Sequence, residues 1–156
     1  MEFEASKEAR VWQRVQTGQR EENAGRAREN LQALLMEQLQ LGTLYRQLAG
    51  RINGKDGAVM IRLAREAGMQ AACLKGIMTL TDGTVPQSGG IQQPLSNTET
   101  VLRRCYGTEL RLLKTYENRS SDAEYGVVFE RMAARGREHC CTLLELIGGT
   151  GRQQTR

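Results

Sequence analysis

Apolar side chains recur at helical spacing along the chain, and short polar segments separate the apolar stretches. The first long stretch carries an apolar set at intervals of three and four residues: Leu31, Leu34, Leu35, Leu41, Tyr45, Leu48 and Ile52. Such spacing places the apolar set on one face of an amphipathic helix. The segment "NGKDG" (53–57) then predicts a turn. A second predicted helix covers about residues 58–81.

The second half of the chain repeats this arrangement after a long connection. Residues 82–97, "DGTVPQSGGIQQPLSN", show no apolar period and predict a crossover without regular structure. Asn97 followed by an early acid is typical of a helix start, so a third helix is predicted from there. "NRSSD" predicts a second turn. The fourth helix is predicted over about 123–147, with Gly148 and Gly149 ending it.

The order of elements predicts an all-α fold. Two antiparallel helical hairpins joined by one long crossover are the ferritin-like form of the four-helix bundle. Residues 1–22 form a separate N-terminal amphipathic segment, in which "SKEARVWQRV" predicts a short helix that Thr17 and Gly18 interrupt. The bundle is assigned to residues 23–149, with the crossover at 82–97. Residues 150–156 are a tail.

Charge and cysteine content narrow the classes of function. The net charge is +4, from 22 basic and 18 acidic residues that are interspersed, so no nucleic-acid partner is expected. The four cysteines have neither a CxxC pair nor a disulfide-framework spacing, which is typical of reduced thiols. No secretory signal pattern and no bilayer-length apolar run is present. A cytoplasmic protein without a membrane partner is expected.

The two predicted hairpins are similar in sequence. "QLQLGTLY" (38–45) aligns with "ELRLLKTY" (109–116), and "AGMQAACL" (67–74) aligns with "GREHCCTL" (136–143). Six positions of these segments are in phase with the apolar stripes and should point into the bundle. They are Gln38, Ala67, Gln70, Glu109, Gly136 and His139.

The chain resembles the ferritin-like superfamily, especially rubrerythrin-like bacterial proteins, over about residues 27–149. The segments that carry the resemblance are "LLMEQLQLGTLYRQLAGRI", "AACLKGIMTLTDG", "LRRCYGTELRLLKTYENR" and "EYGVVFERMAARGREHCCTLLELIGG". The resemblance implies a di-iron centre used for peroxide reduction, ferrous oxidation or iron storage. Such a centre takes one Glu from each of two helices and a Glu-x-x-His from each of the other two.

Only Glu109 and His139 match this ligand pattern. The other four positions hold amides, a methyl group or a glycine, which cannot balance the charge of two metal ions in a desolvated core. The sequence therefore predicts a degenerate di-iron site. Glu109 and His139 are then either a buried hydrogen-bonded pair or a residual site for one metal, and Cys105 could complete a zinc-like site with them.

Several further residues have two interpretations. Glu37, Glu66 and Glu138 lie beside vacated ligand positions, and we predict solvated charges unless a helix bulge turns one of them inward. Tyr45 and Tyr116 are predicted to be core residues whose hydroxyls have partners. The apolar side of residues 11–15, which includes Trp12, must pack on the bundle itself or on a second subunit.

These expectations favour a structural or interaction protein that forms a homodimer and needs no cofactor. The alternative is an iron-binding oxidoreductase or peroxidase of rubrerythrin type that uses a residual site at Glu109 and His139. A DNA-coating role rests on the basic charge alone.

Overall fold

The computed structural model describes residues 2–83 and 96–154, with side chains described for 8–18, 30–81, 83 and 96–149. It contains four helices in these ranges: α1 Glu2–Arg51, α2 Gly54–Asp82, α3 Thr98–Arg119 and α4 Gly126–Gln154. No strand occurs in the described part of the chain. The all-α prediction is confirmed. The predicted crossover falls mostly on residues 84–95, which lie outside the described residues.

Helix α1 is continuous through the predicted break at Thr17 and Gly18. The Thr17 hydroxyl donates to the Gln13 carbonyl at 2.7 Å, so its side chain is satisfied within the helix. One glycine costs a helix only about 1 kcal/mol relative to alanine, which the flanking helix formers offset. The prediction of a separate short helix was therefore wrong. The chain divides into two compact units, Met1–Ala33 and Leu34–Arg156.

The turn between α1 and α2 is shorter than the predicted 53–57. Only Ile52 and Asn53 separate the two helices, and the Ile52 N–H still bonds to the Leu48 carbonyl at 2.9 Å. Gly54 has a φ of 73°, a left-handed conformation that glycine adopts without strain. The Ile52 carbonyl also lies where a Cβ on Gly57 would be. These glycines allow the helix to restart at once, so the two helices form a tight hairpin.

Helix α3 begins where the sequence predicts. The Asn97 side chain accepts a hydrogen bond from the Glu99 N–H at 2.9 Å, which satisfies one of the free donors of the first turn. Arg51 at the end of α1 donates to the Ser96 carbonyl at 2.7 Å. The start of the second hairpin is thus tied to the end of α1.

Helix α4 begins after a turn in which Asp122 acts as the organising residue. Its carboxylate accepts from the N–H groups of Glu124 at 2.8 Å and Tyr125 at 2.9 Å, and these bonds hold the Asp122 pKa below its ordinary value. The prediction that Gly148 and Gly149 end the helix was wrong, because α4 continues to Gln154. Neither glycine has the positive φ that a glycine helix cap requires.

The core of the unit Leu34–Arg156 is built from aliphatic side chains and three large rings. Tyr116 and Phe129 stack with ring centroids 6.3 Å apart, and Arg119 lies 5.5 Å above the Phe129 ring. Tyr45 is fully buried. The helices pack as a helical bundle around this core. Among the described helices, none is long and apolar enough to cross a membrane.

Candidate functional site: a buried glutamate–histidine network

All six positions that the repeat places toward the interior are buried. Among the side chains that the structure describes, the buried polar ones are Gln38, Gln70, Glu109 and His139, each exposed by 2% or less. Ala67 is fully buried, and Gly136 is buried as well. The periodicity therefore predicted the interior positions correctly, and the chemistry of the site follows from what these residues contact.

His139 lies between two carboxylates. Its Nδ1 is 3.0 Å from Glu109 Oε1, and its Nε2 is 2.6 Å from Glu66 Oε2. The Tyr45 hydroxyl donates to the same Glu109 oxygen at 2.7 Å. A neutral imidazole has one N–H and could donate to only one carboxylate, whereas the imidazolium donates to both. The geometry thus suits a charged histidine. The network contains one residue from each helix, namely Tyr45, Glu66, Glu109 and His139.

The electrostatics of the network agree with this protonation. Burial lowers the pKa of His139, but the hydrogen bonds and charges of Glu109 and then Glu66 outweigh it, so the His139 pKa is raised from its ordinary value of 6.5. Burial, followed by the Glu109 charge, raises the pKa of Tyr45 well above its ordinary value. Tyr45 therefore stays neutral and acts as a donor, and the network carries two carboxylates and one cation.

The thiols around the network remain protonated at neutral pH. Burial and then the Glu109 charge raise the pKa of Cys105 to about 12 and that of Cys140 to about 11. Cys105 is a buried core residue, and in the described part of the chain it does not join Glu109 and His139 in a group placed to hold a metal ion, as the zinc-like site would require.

Stability should fall as the pH rises above about 6.5. A histidine whose pKa is higher in the folded state stabilises the fold at pH values below its unfolded pKa, and this contribution is lost as pH rises through the folded pKa. For one proton the slope is at most about 1.4 kcal/mol per pH unit. Cys105 and Cys140 add a loss of the same sign only as the pH approaches 9, where their thiols ionise in the unfolded chain but not in the folded one, so the effect of His139 is read below pH 8.

The measurement is urea unfolding between pH 6 and pH 8, compared with a Glu66→Gln variant. Glu66 keeps a side-chain exposure of 26%, so an isosteric amide should be tolerated there. The variant should show a flatter dependence in this range because one of the two carboxylates that hold the proton is gone. Equal slopes for both proteins would contradict a charged His139.

A second set of polar groups in the interior is uncharged and consists of Tyr116, Gln38 and Gln70. The Tyr116 hydroxyl donates to Gln38 Oε1 at 2.9 Å, just as Tyr45 donates to Glu109 from the opposite hairpin. Gln70, at the position equivalent to His139, donates to the Met132 carbonyl at 3.1 Å. Both tyrosines thus have hydroxyl partners, as predicted. The equivalent positions on this side are the amides Gln38 and Gln70.

The helices lie close together at Ala67 and Gly136. A Cβ built on Gly42 would lie 3.8 Å from the Ala67 Cβ. A Cβ built on Gly136 would lie 3.6 Å from the Leu113 Cβ. These are ordinary van der Waals distances, so α1 lies close to α2, and α3 to α4, at these positions.

Glu66 is the residue whose role the sequence did not predict. It was expected to be a solvated charge unless a bulge occurred, but it reaches His139 from α2 without any bulge in that helix. The position beside Ala67 faces α4, and the long glutamate side chain spans the gap. Glu37 and Glu138 do lie at the surface: Glu37 is 3.6 Å from Arg111, and Glu138 is exposed.

The two carboxylates cannot ligate one metal together with His139. They lie against opposite nitrogens of the ring, so a metal on the Nδ1 side would meet Glu109 and not Glu66. Across the residues that the structure describes, no group of three or more histidine, cysteine or acidic side chains is placed to hold a metal ion. Outside Glu66, a cleft of about 430 Å³ between α2 and α4 connects this end of the network with solvent.

Comparison with known proteins gives no match. No protein-family model fits the chain, and neither a curated protein nor a solved structure is significantly similar to it.

Proposed function

We propose that this chain is a ferritin-like, rubrerythrin-like bundle that has lost its di-iron chemistry and acts as a structural or interaction protein. The observation that carries the proposal is the network Tyr45–Glu109–His139–Glu66. Glu109 and Glu66 are both hydrogen-bonded to His139, so the charged groups of this network are paired with one another. The network works as a structural element and does not turn over a redox substrate.

The charge of the core supports this reading. Two carboxylates and one imidazolium leave a single net negative charge in the network. Two divalent or trivalent ions would need several more negative ligands, because an uncompensated charge in a desolvated interior is strongly unfavourable. Gln38 and Gln70 supply none.

The alternative is an iron-binding oxidoreductase or peroxidase that uses Glu109 and His139. The contact between Glu66 and His139 favours this alternative in one respect, because it adds a carboxylate to Glu109 and His139. Its position on the Nε2 side of the ring counts against it, since a shared metal would require both glutamates on one side. Iron would be the cofactor of this alternative, and none is needed for the main proposal.

Metal analysis of the purified protein tests the proposal directly. Protein from cells grown with added iron should contain well under one metal ion per chain, and peroxide should not oxidise ferrous iron faster with the protein than without it. Two irons per chain together with peroxide-dependent oxidation would establish the alternative instead.

An interaction role requires a surface that a partner can cover. Three neighbouring apolar side chains of α1 are exposed: Val11 by 59%, Trp12 by 66% and Val15 by 47%. Clustered apolar exposure of this kind is typical of protein interfaces. We expect a cytoplasmic homodimer, with no nucleic-acid partner.

A further inference from the structure

The outer face of α2 is apolar although it is exposed. Its large apolar residues Ile61, Met69 and Leu80 are exposed by 61%, 47% and 76%. The rest of this face is formed by exposed small or neutral residues and two arginines: Arg62, Arg65, Gly68, Ala72, Cys73, Gly76 and Thr79. A solvated helix face normally carries more charge than this. The composition is that of a surface which packs against protein.

The middle of this face has the spacing of a helix–helix seam. Six residues follow one another at alternating intervals of three and four positions: Arg62, Arg65, Met69, Ala72, Gly76 and Thr79. This alternation keeps a stripe aligned along a partner helix. These six residues are called the α2 seam below. An added Cβ at Gly76 would meet nothing within 4 Å, so the seam is open at that point.

We propose that the α2 seam packs antiparallel against the α2 seam of a second copy of this chain. This inference rests on the proposed function and names the partner and the surface. A two-fold axis midway between residues 70 and 71 places Met69 opposite Ala72 of the other copy and Arg65 opposite Gly76. Each large side chain then meets a small one, which is the condition for close helix packing.

The charges of the seam favour this orientation. In the antiparallel arrangement each arginine meets a neutral residue, Arg65 against Gly76 and Arg62 against Thr79. In a parallel arrangement each arginine would meet its own copy, and each glycine would leave a gap. A two-fold dimer is also the commonest symmetric assembly, and it buries the same patch on both subunits.

The size of the seam predicts a weak dimer. From Arg62 to Thr79 it is about 26 Å long, and with a width of about 10 Å it covers on the order of 300 Å² per subunit. A stable interface buries about 800 Å² per partner. Even with Ile61 and Leu80 at the edges, the association should therefore depend on protein concentration.

Substitution at Gly76 tests the register because it faces Arg65 of the other copy. Gly76→Arg should abolish association, since it places two cations in contact. Gly76→Glu should strengthen association about 2- to 10-fold, because each subunit gains an exposed ion pair with Arg65. The matched control is Gly107, an exposed glycine of α3 whose Cβ position is also open. Gly107→Arg and Gly107→Glu should leave association unchanged.

The native thiols give a second measurement. Cys73 lies at one edge of the seam, where it faces Cys73 of the other copy across the two-fold axis at an axial offset of about 7–8 Å. A short bifunctional maleimide should therefore produce a covalent dimer of the full chain. Cys73→Ser should remove this product, and Cys141→Ser, which removes the exposed thiol on α4, should not.

Sedimentation over a range of protein concentrations, combined with the crosslinking, decides the proposal. A concentration-dependent dimer that crosslinks through Cys73 and responds oppositely to the two Gly76 variants supports it. A monomer at all concentrations, or a dimer with the same affinity in both Gly76 variants, overturns it. Neither result depends on metal content, so a metal-free monomer contradicts the dimer only, and an iron-loaded dimer contradicts the proposed function only.

Discussion

A variant with four restored ligands should bind two metal ions per chain. The substitutions are Gln38→Glu, Ala67→Glu, Gln70→His and Gly136→Glu, which together with Glu109 and His139 complete the ligand set of a di-iron carboxylate site. A Cβ at Gly136 would make only ordinary contacts, so the first atom of the new side chain fits between α3 and α4. The metal-free variant should be less stable than the natural chain, because three new buried carboxylates lack compensating charge.

Metal should reverse this loss of stability. Ferrous or manganous ion at 1,000 times its dissociation constant stabilises the folded state by about 4 kcal/mol, so the melting temperature should rise steeply with metal only in the variant. The control replaces Ala67 and Gly136 by glutamine, which adds similar volume without charge and should bind no metal. A quadruple variant that folds, as its circular dichroism would show, and still binds no metal would contradict the ferritin-like interpretation.

The sequence predicted the interior of this protein better than its helix ends. Apolar periodicity and the internal repeat identified Gln38, Gln70, Glu109 and His139 as interior positions, and these are the buried polar residues of the described chain. A repeat doubles the information, because each inward position is supported by its counterpart in the other hairpin. Tyr45 and Tyr116 occupy equivalent positions, and their hydroxyls donate to Glu109 and Gln38, which are equivalent as well.

The helix ends could not be predicted equally well because glycine has two roles. Gly18, Gly148 and Gly149 look like helix ends in the sequence, but they lie inside continuous helices. Gly54 and Gly83 do have the left-handed conformation of a helix boundary. Residue type alone does not distinguish these cases, because one glycine in a long helix costs little when its neighbours favour the helix.

Glu66 shows what periodicity cannot predict. Its position is at the edge of the inward face of α2, where a short side chain would point to solvent. The glutamate side chain reaches His139 only because α4 packs beside it, so the contact depends on tertiary packing. The available signal was an acid directly beside the inward position 67, in a chain with a single histidine.

Replacing Glu109 should cause the largest loss of stability of any single substitution in the network. Glu109 is 2% exposed, and one of its oxygens accepts from both Tyr45 and His139. Glu109→Ala would leave a buried hydroxyl without its acceptor and a buried imidazolium with one carboxylate only. Removing one partner of a buried ion pair costs about 3–5 kcal/mol. That is a large part of the 5–15 kcal/mol that stabilises a typical domain.

Two further variants separate the charge from the volume of Glu109. Glu109→Gln keeps the shape and an acceptor for Tyr45 but removes the charge, so its free energy of unfolding should lie between those of the natural chain and Glu109→Ala. Glu117→Ala is the control on the same helix, because Glu117 forms an exposed ion pair with Arg137 at 2.9 Å and should cost less than about 1 kcal/mol. Urea unfolding at pH 6, where His139 is charged, gives all three values. A Glu109→Ala variant as stable as Glu117→Ala would show that the network does not hold the helices together.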